Sequence, residues 1–266
     1  MSLAITLLGC GSSGGVPRVA QGWGACDPTN PKNRRRRCSI LLERESDTGS
    51  GTTSVLVDMS PDLRAQLLDA SVQRLDGILM THAHADHTHG IDDIRPLVIE
   101  MGGKIDVHMD EPTAQTLRHN FSYVFETPPG SQYPPLVTER RLRPGEVCRI
   151  AGPGGVIEAV PFRLEHGEID ALGFRFGDSA YSPDVCGVPR ESRAFLQGLD
   201  LWIVDALRYR RHPTHWCLSE TLDWIAKVQP RRAVLTNLHT DMDFERLRSE
   251  LPANVEPAFD GMRIIA

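Results

Sequence analysis

The 266-residue chain has no apolar run long enough to cross a bilayer as a helix. Its opening, MSLAITLLGCGSSGG, lacks the basic n-region and the length of a secretory signal, and reads as a strand running into a Gly/Ser turn. These absences point to a cytoplasmic protein. An excess of positive charge is also missing: a net charge of -6 and a pI near 5.9 give no general attraction to nucleic acid or anionic membranes. Phosphate binding, if any, has to be local, and stable nucleic-acid binding is not expected. The six cysteines include no CxxC pair, so reduced thiols are expected rather than disulfides. Internal repeats are absent, and the one biased tract is the short basic run Arg34 to Arg37.

What is present is an ordinary globular composition, with 40% hydrophobic and 24% charged residues, long enough to bury a core without staples. A single domain over residues 1–266 is expected; the sequence admits a homodimer but does not require one. Short apolar runs bounded by turn signals recur: AITLLG, SILLE, SVLVD, GILMTH, KIDVHM, GVIEAVPF, LGFRF, LWIVDA, RAVLTN and MRIIA. Their length predicts strands. Helical stretches fall between them, at Pro61 to Ala70, Glu111 to His119, Arg190 to Gln197, Leu218 to Val228 and Asp243 to Glu250. The interleaving predicts an α/β fold with helices covering sheets. TPPGSQYPP, from Thr127 to Pro135, predicts a surface loop.

The chemistry concentrates in MTHAHADHTHG, Met80 to Gly90. His82, His84, Asp86 and His87 follow the apolar run GILM directly. At a strand end alternate residues share a side, so His82 and His84 can present imidazoles to one ion. Asp86 and His87 fall where the chain turns into a helix, close enough to serve a neighbouring ion. The mixture of imidazole and carboxylate suits zinc, with manganese or iron as alternatives. His89 falls outside the pattern.

These residues, over nearly the whole chain, resemble the metallo-β-lactamase superfamily, which implies a four-layer αββα sandwich. The resemblance implies a structural Asp at a preceding strand end, matched by Asp58 in SVLVDMSPDL. It also implies further ligands at His166 in RLEHG and Asp184 in AYSPDV. Within the superfamily the similarity is to phosphoribosyl cyclic phosphodiesterases, kin to ribonuclease Z, through LLGCGSSGGVPR, SPDVCGVP and FDGMRI. That family's proposed general acid corresponds to His215 in DALRYRRHPTHWCLSET, with His212 as the alternative. Two departures stand out. The early loop GWGACDPTNPKNRRRRCS offers only Cys26 and Cys38 where the family carries a cysteine set for an extra zinc, so no structural metal is expected. Where the family has its last ligand, this chain has Asn237, and the nearest histidine is His239, two residues on. His239 is therefore expected as the ligand.

The resulting expectation is two divalent ions, one on His82, His84 and His166, one on Asp86, His87 and His239, with Asp184 bridging. Such a pair serves hydrolysis of small phosphodiesters, including cyclic ribose or nucleotide phosphates, with His215 and Asp86 as catalytic residues. The glycine-rich turn GCGSSGGVPR and Arg34 to Arg37 are candidate phosphate contacts. The alternatives are hydrolysis of an ester, thioester or lactone, and a non-catalytic nucleotide-binding protein.

Overall fold

A computed structural model describes residues 3–47, 49 and 51–266. Two seven-stranded sheets face each other. The first contains β1 (Leu3–Gly9), β2 (Ser39–Glu45), β3 (Thr52–Val57), β4 (Gly77–Leu79), β5 (Ile105–Met109), β6 (Val137–Arg141) and β14 (Met262–Ile265), ordered β14-β1-β2-β3-β4-β5-β6. The second contains β7 (Cys148–Gly152), β8 (Gly155–His166), β9 (Ile169–Phe176), β10 (Ser179–Ser182), β11 (Leu201–Asp205), β12 (Arg232–Thr236) and β13 (Val255–Pro257). Its order is β13-β12-β11-β10-β9-β8-β7.

The apolar runs are continuous because both faces of each sheet are buried. Along β2, Ile40 and Leu42 face the second sheet while Leu41 faces outward; along β3, Val55 and Val57 point inward and Leu56 outward. Trp202 and Val204 of β11 point away from the inter-sheet core, and Leu201 and Ile203 into it. This is the period-two alternation of a strand, with apolar residues at both phases. The outer faces are closed by α1 (Leu63–Asp69), α3 (Arg95–Met101), α4 (Glu111–Asn120) and α5 (Ser122–Phe125) on one side, while α2 (Ala85–Thr88) belongs to the histidine segment and puts no residue into that apolar layer. On the other lie α6 (Leu218–Val228) and α7 (Phe244–Glu250). The architecture is the αββα sandwich. Among the described residues no helix is long and apolar enough to cross a membrane.

All five expected helical stretches are helical, with Arg190–Leu196 forming a 3-10 helix rather than α. Asp243 is the N-cap of α7, accepting a hydrogen bond from the Arg246 N–H, and so stands just outside it. Strands β6, β7, β10 and β13 were not expected. β6, VTERR, is a charged edge strand, and β10, SAYS, is short and polar in sequence although wholly buried. The segment from Thr127 to Pro135 is an exposed loop between α5 and β6.

The topology gathers strand ends along one edge. Strands β10, β11 and β12 run parallel, and β8 reaches the same direction through two antiparallel steps. Their carboxyl ends therefore lie along one edge of the second sheet. The parallel strands β3 and β4 end in Asp58 and the histidine segment. Open crevices at strand carboxyl ends are where α/β folds bind ligands.

Candidate metal centre

The histidine segment folds as it does because Asp58 holds it. Asp58 is fully buried at the end of β3 in the left-handed region, with φ +66. Its Oδ1 accepts the Thr81 N–H at 2.8 Å, and Oδ2 accepts both the Thr81 hydroxyl at 2.8 Å and His87 Nδ1 at 2.7 Å. The same Thr81 oxygen lies 2.9 Å from His82 Nδ1 and can accept its proton. One carboxylate thus orients two imidazoles, fixing the hydrogen on Nδ1 and leaving the Nε2 lone pair for the interior. His166 repeats this arrangement from the end of β8, with Nδ1 donating to the Thr214 carbonyl at 2.7 Å.

The inward-facing atoms converge. His84 Nδ1 lies 3.0 Å from His82 Nε2 and 3.2 Å from His166 Nε2. Four ligands bonded at zinc–nitrogen distances stand about 3.3 Å apart at the edges of a tetrahedron. Asp184, just past β10, sits at the centre of the cluster: His87 Nε2 is 3.2 Å from its Oδ1, while His166, His215 and His82 Nε2 are 3.6, 3.8 and 3.9 Å from its Oδ2. The Asp184 Oδ1 contact with His87 lacks hydrogen-bond geometry, so that oxygen is buried without a hydrogen-bond partner. Asp86 closes the side of the cluster, 3.5 Å from His87 Nε2.

The electrostatics show a pocket that demands positive charge. Burial pushes the His82 and His166 imidazoles below their ordinary values. Burial acts the same way on His87, but Asp184, Asp58 and Asp86 outweigh it and hold the ring well above its usual range. Burial opposes ionisation of Asp184 too, and the surrounding imidazoles overcome it, holding the carboxyl well below the usual range. Converging nitrogen lone pairs around an unpartnered buried carboxylate oxygen fit a divalent cation. His82, His84 and His166 form one triple of converging donor atoms, and His82, His87 and Asp184 a second.

A third triple, His166, Asp184 and His215, brings in the loop after β11. His215 Nδ1 donates to Asp205 Oδ2 at 2.7 Å, and Asp205, fully buried at the end of β11, also accepts the Val185 N–H at 3.1 Å. Burial raises the Asp205 carboxyl to about 7; burial lowers His215, but Asp205 outweighs it and lifts the ring to about 9. Sequence reasoning missed Asp205. Its signal was available, since LWIVDA ends an apolar strand in Asp just as SVLVDM does at Asp58.

His239 is not brought to the cluster. Its Nε2 accepts a hydrogen bond from Arg18 Nη1, and its Nδ1 faces Thr240 Oγ1 at 3.1 Å and Asp241 at 3.5 Å. The backbone explains the displacement. Asn237 sits in the left-handed region, φ +63, so the chain does not run on extended and the two-residue spacing no longer places Asn237 and His239 on one side. Asn237 instead faces the site: Nδ2 donates to the Pro183 carbonyl at 3.0 Å and lies 3.3 Å from His215 Nδ1. His89 is exposed, packing edge-on to Phe121. His212 is half-buried, with Nδ1 3.2 Å from the Thr214 hydroxyl.

The basic run divides by role. Arg35 is buried and donates to the Met242 carbonyl, Arg36 pairs with Asp69, and Arg37 pairs with Asp62. Arg34 is exposed over the Trp23 ring. The Cys26 thiol is bonded to the Thr240 carbonyl and Cys38 to the Gly11 carbonyl.

Comparison with known proteins agrees with this geometry. Residues 53–237 match the model of the β-lactamase superfamily domain. An octanoyltransferase of Porphyromonas gingivalis (strain ATCC BAA-308 / W83) is 31% identical over 264 residues, 97% of this chain; the chain spans about half (51%) of that protein's length. A crystal structure described as a new diphosphatase from the PhnP family is 33% identical, with TM-score 0.88, covering 100% of this chain and 98% of that one. Zn(2+)-bound PqqB from Methylobacterium extorquens shares the fold at 17% identity, with TM-score 0.72, covering 98% and 99%. A family match across most of the chain, joined to the imidazole–carboxylate cluster at the strand ends, places this protein in the β-lactamase superfamily.

Proposed function

We propose that the chain is a metal-dependent phosphoesterase acting on small phosphodiesters or phosphoric anhydrides, cyclic ribose or nucleotide phosphates among them. The observation that carries this reading is Asp184, ringed by four imidazole nitrogens, with one ring, His215, backed by its own carboxylate.

His82, His84 and His166 would hold one divalent ion, and Asp86 and His87 a second, with Asp184 between them. The donor set suits zinc, with manganese the alternative. Divalent ions there supply Lewis acidity and lower the pKa of water towards neutrality. The second ion would have one imidazole fewer than the sequence suggested, because His239 lies outside the cluster, and would bind more weakly than the first. Asp58, Thr81 and the Thr214 carbonyl orient the ligand rings. His215 keeps a proton on Nδ1 against Asp205 and turns Nε2 towards the cluster, where as imidazolium it donates a proton to the leaving oxygen. Asn237 limits the rotation of that ring from the β12 side.

The test is metal analysis with turnover. Purified protein should carry close to two ions per chain, one lost sooner on dialysis. It should hydrolyse bis(p-nitrophenyl) phosphate or a 1,2- or 2',3'-cyclic phosphate, with activity abolished by chelation. Metal-loaded protein inert towards every phosphodiester and anhydride offered would overturn the reading. Acyl-ester or thioester hydrolysis is the second reading, favoured by the name of the Porphyromonas gingivalis relative. Against it, the cavity beside Asp86 is walled by Arg18 and Arg37, which suit an anion rather than an acyl chain. Paired rates on a phosphodiester and a thioester separate the two.

A further inference from the structure

We propose that Arg18 and the Ser13–Gly14 turn form a subsite for a second phosphoryl group, making a diphosphate the favoured substrate class. The proposal rests on the phosphoesterase reading of the adjoining cluster. A cavity of about 520 Å³ is lined by Ser13, Gly14, Arg18, Arg37, Asp86 and His89 among others, a size within the ~300–1,000 Å³ of small-molecule sites. Of the proposed metal ligands, Asp86 lines this cavity, and it shares it with the glycine-rich turn, which the proposed chemistry does not use.

Three observations make the Arg18 side an anion site. Arg18 is half-buried, and among the described residues it pairs with no carboxylate; its Nη1 donates to the neutral acceptor His239 Nε2. That leaves donors of the guanidinium fork for a ligand, and the fork matches phosphate oxygens two at a time. Next, the turn spends its other amides internally: Gly11 N–H donates to the Arg36 carbonyl, Ser12 N–H to the Leu238 carbonyl and Gly15 N–H to the Ser12 carbonyl. Among the described residues the N–H groups of Ser13 and Gly14 donate to no protein acceptor. Consecutive free amides of this kind form an anion-binding concavity. Finally, the guanidinium lies directly against Gly14, where a Cβ would stand 2.2 Å from Arg18 Nε. Glycine here is what lets the charge and the free amides occupy one spot.

Asp86 lines the same cavity and repels an anion unless a cation covers it. In the proposed orientation the reacting phosphoryl lies beside Asp86 and a second one beside Arg18. Arg37 adds positive potential but is partly committed to Asp62, 3.1 Å away, and ranks below Arg18.

The test is calorimetric and needs no turnover. Zinc-loaded protein is titrated with methylenediphosphonate and with methylphosphonate, with metal content checked after each run. The wild type should favour the diphosphonate at least tenfold. Arg18→Ala should bring the ratio close to one, and Arg18→Lys, keeping the charge without the fork, should fall between. A wild-type preference below tenfold, or one that survives Arg18→Ala unchanged, overturns the proposal. Retained preference with no phosphoester hydrolysis would remove the hydrolase reading and leave this anion site standing; hydrolysis without preference would do the reverse.

Discussion

The two halves of the molecule contribute to the cluster in opposite ways. The first sheet supplies His82, His84, Asp86 and His87 from a single six-residue stretch, in which His82 and His87 are held through Asp58 and Thr81. The second sheet supplies His166, Asp184, Asp205, His215 and Asn237 from five separate segments, collected only because β8, β10, β11 and β12 end along one edge. The first half is built by local sequence, the second by topology. A local site is expected to fail as a unit, and a dispersed one residue by residue.

The largest test of that difference is Asp58→Ala. It frees His82 and His87 together, and loss of a single outer partner typically costs 10–100-fold in metal affinity, so a loss of at least about 100-fold is expected. Competition with a graded chelator measures it, and a loss below tenfold would break the comparison. On the dispersed side, Asp205→Asn should leave metal content intact. The carboxamide no longer fixes the His215 proton on Nδ1, and kcat should fall about 100-fold with KM within a few-fold. Metal loss in Asp205→Asn would instead make His215 a ligand.

A smaller effect concerns the edge itself. Trp202 is fully buried on β11, edge-on to Trp216 with ring centroids 6.3 Å apart, and its Nε1 donates to Ser182 Oγ at 3.1 Å. Trp202→Ala should cost about 3–5 kcal/mol and lower Tm by about 10 °C. If the strand ends act as one edge, calorimetry should show a single transition moving down.

The smallest effect is a pH slope. Asp260 accepts the Cys10 and Arg36 N–H groups at 3.1 and 2.8 Å and fastens the glycine-rich turn to the last loop. Burial raises its carboxyl from 3.8 to about 6. A folded value above the unfolded one means the stabilising contribution is full below about pH 4 and lost as pH rises through 6. Urea unfolding of wild type against Asp260→Asn should show that relative loss, about 2 kcal/mol, between those limits.

The same contrast explains what was legible in the sequence. The strands were legible because two buried faces leave unbroken apolar runs; β10 was not, because SAYS owes its burial to its neighbours. The histidine segment was legible because its spacing is local. His166 and Asp184 could be anticipated through family resemblance, and the structure brings both to the cluster. Asp205 was passed over because a lone strand-end Asp has no local partner, and its role depends on His215 folding back ten residues later. His239 was expected at the cluster on an assumption of extended backbone, and the left-handed Asn237 turns it to Arg18 instead.

Asp58 leaves one further consequence. A single carboxylate anchoring two rings is a shared fastening with no backup, whereas His166 and His215 each have their own, in the Thr214 carbonyl and Asp205. Chemical retuning of this protein is therefore modular on one side only. Rings on the second sheet can be exchanged one at a time, and any redesign of the first must replace the anchor and everything tied to it together.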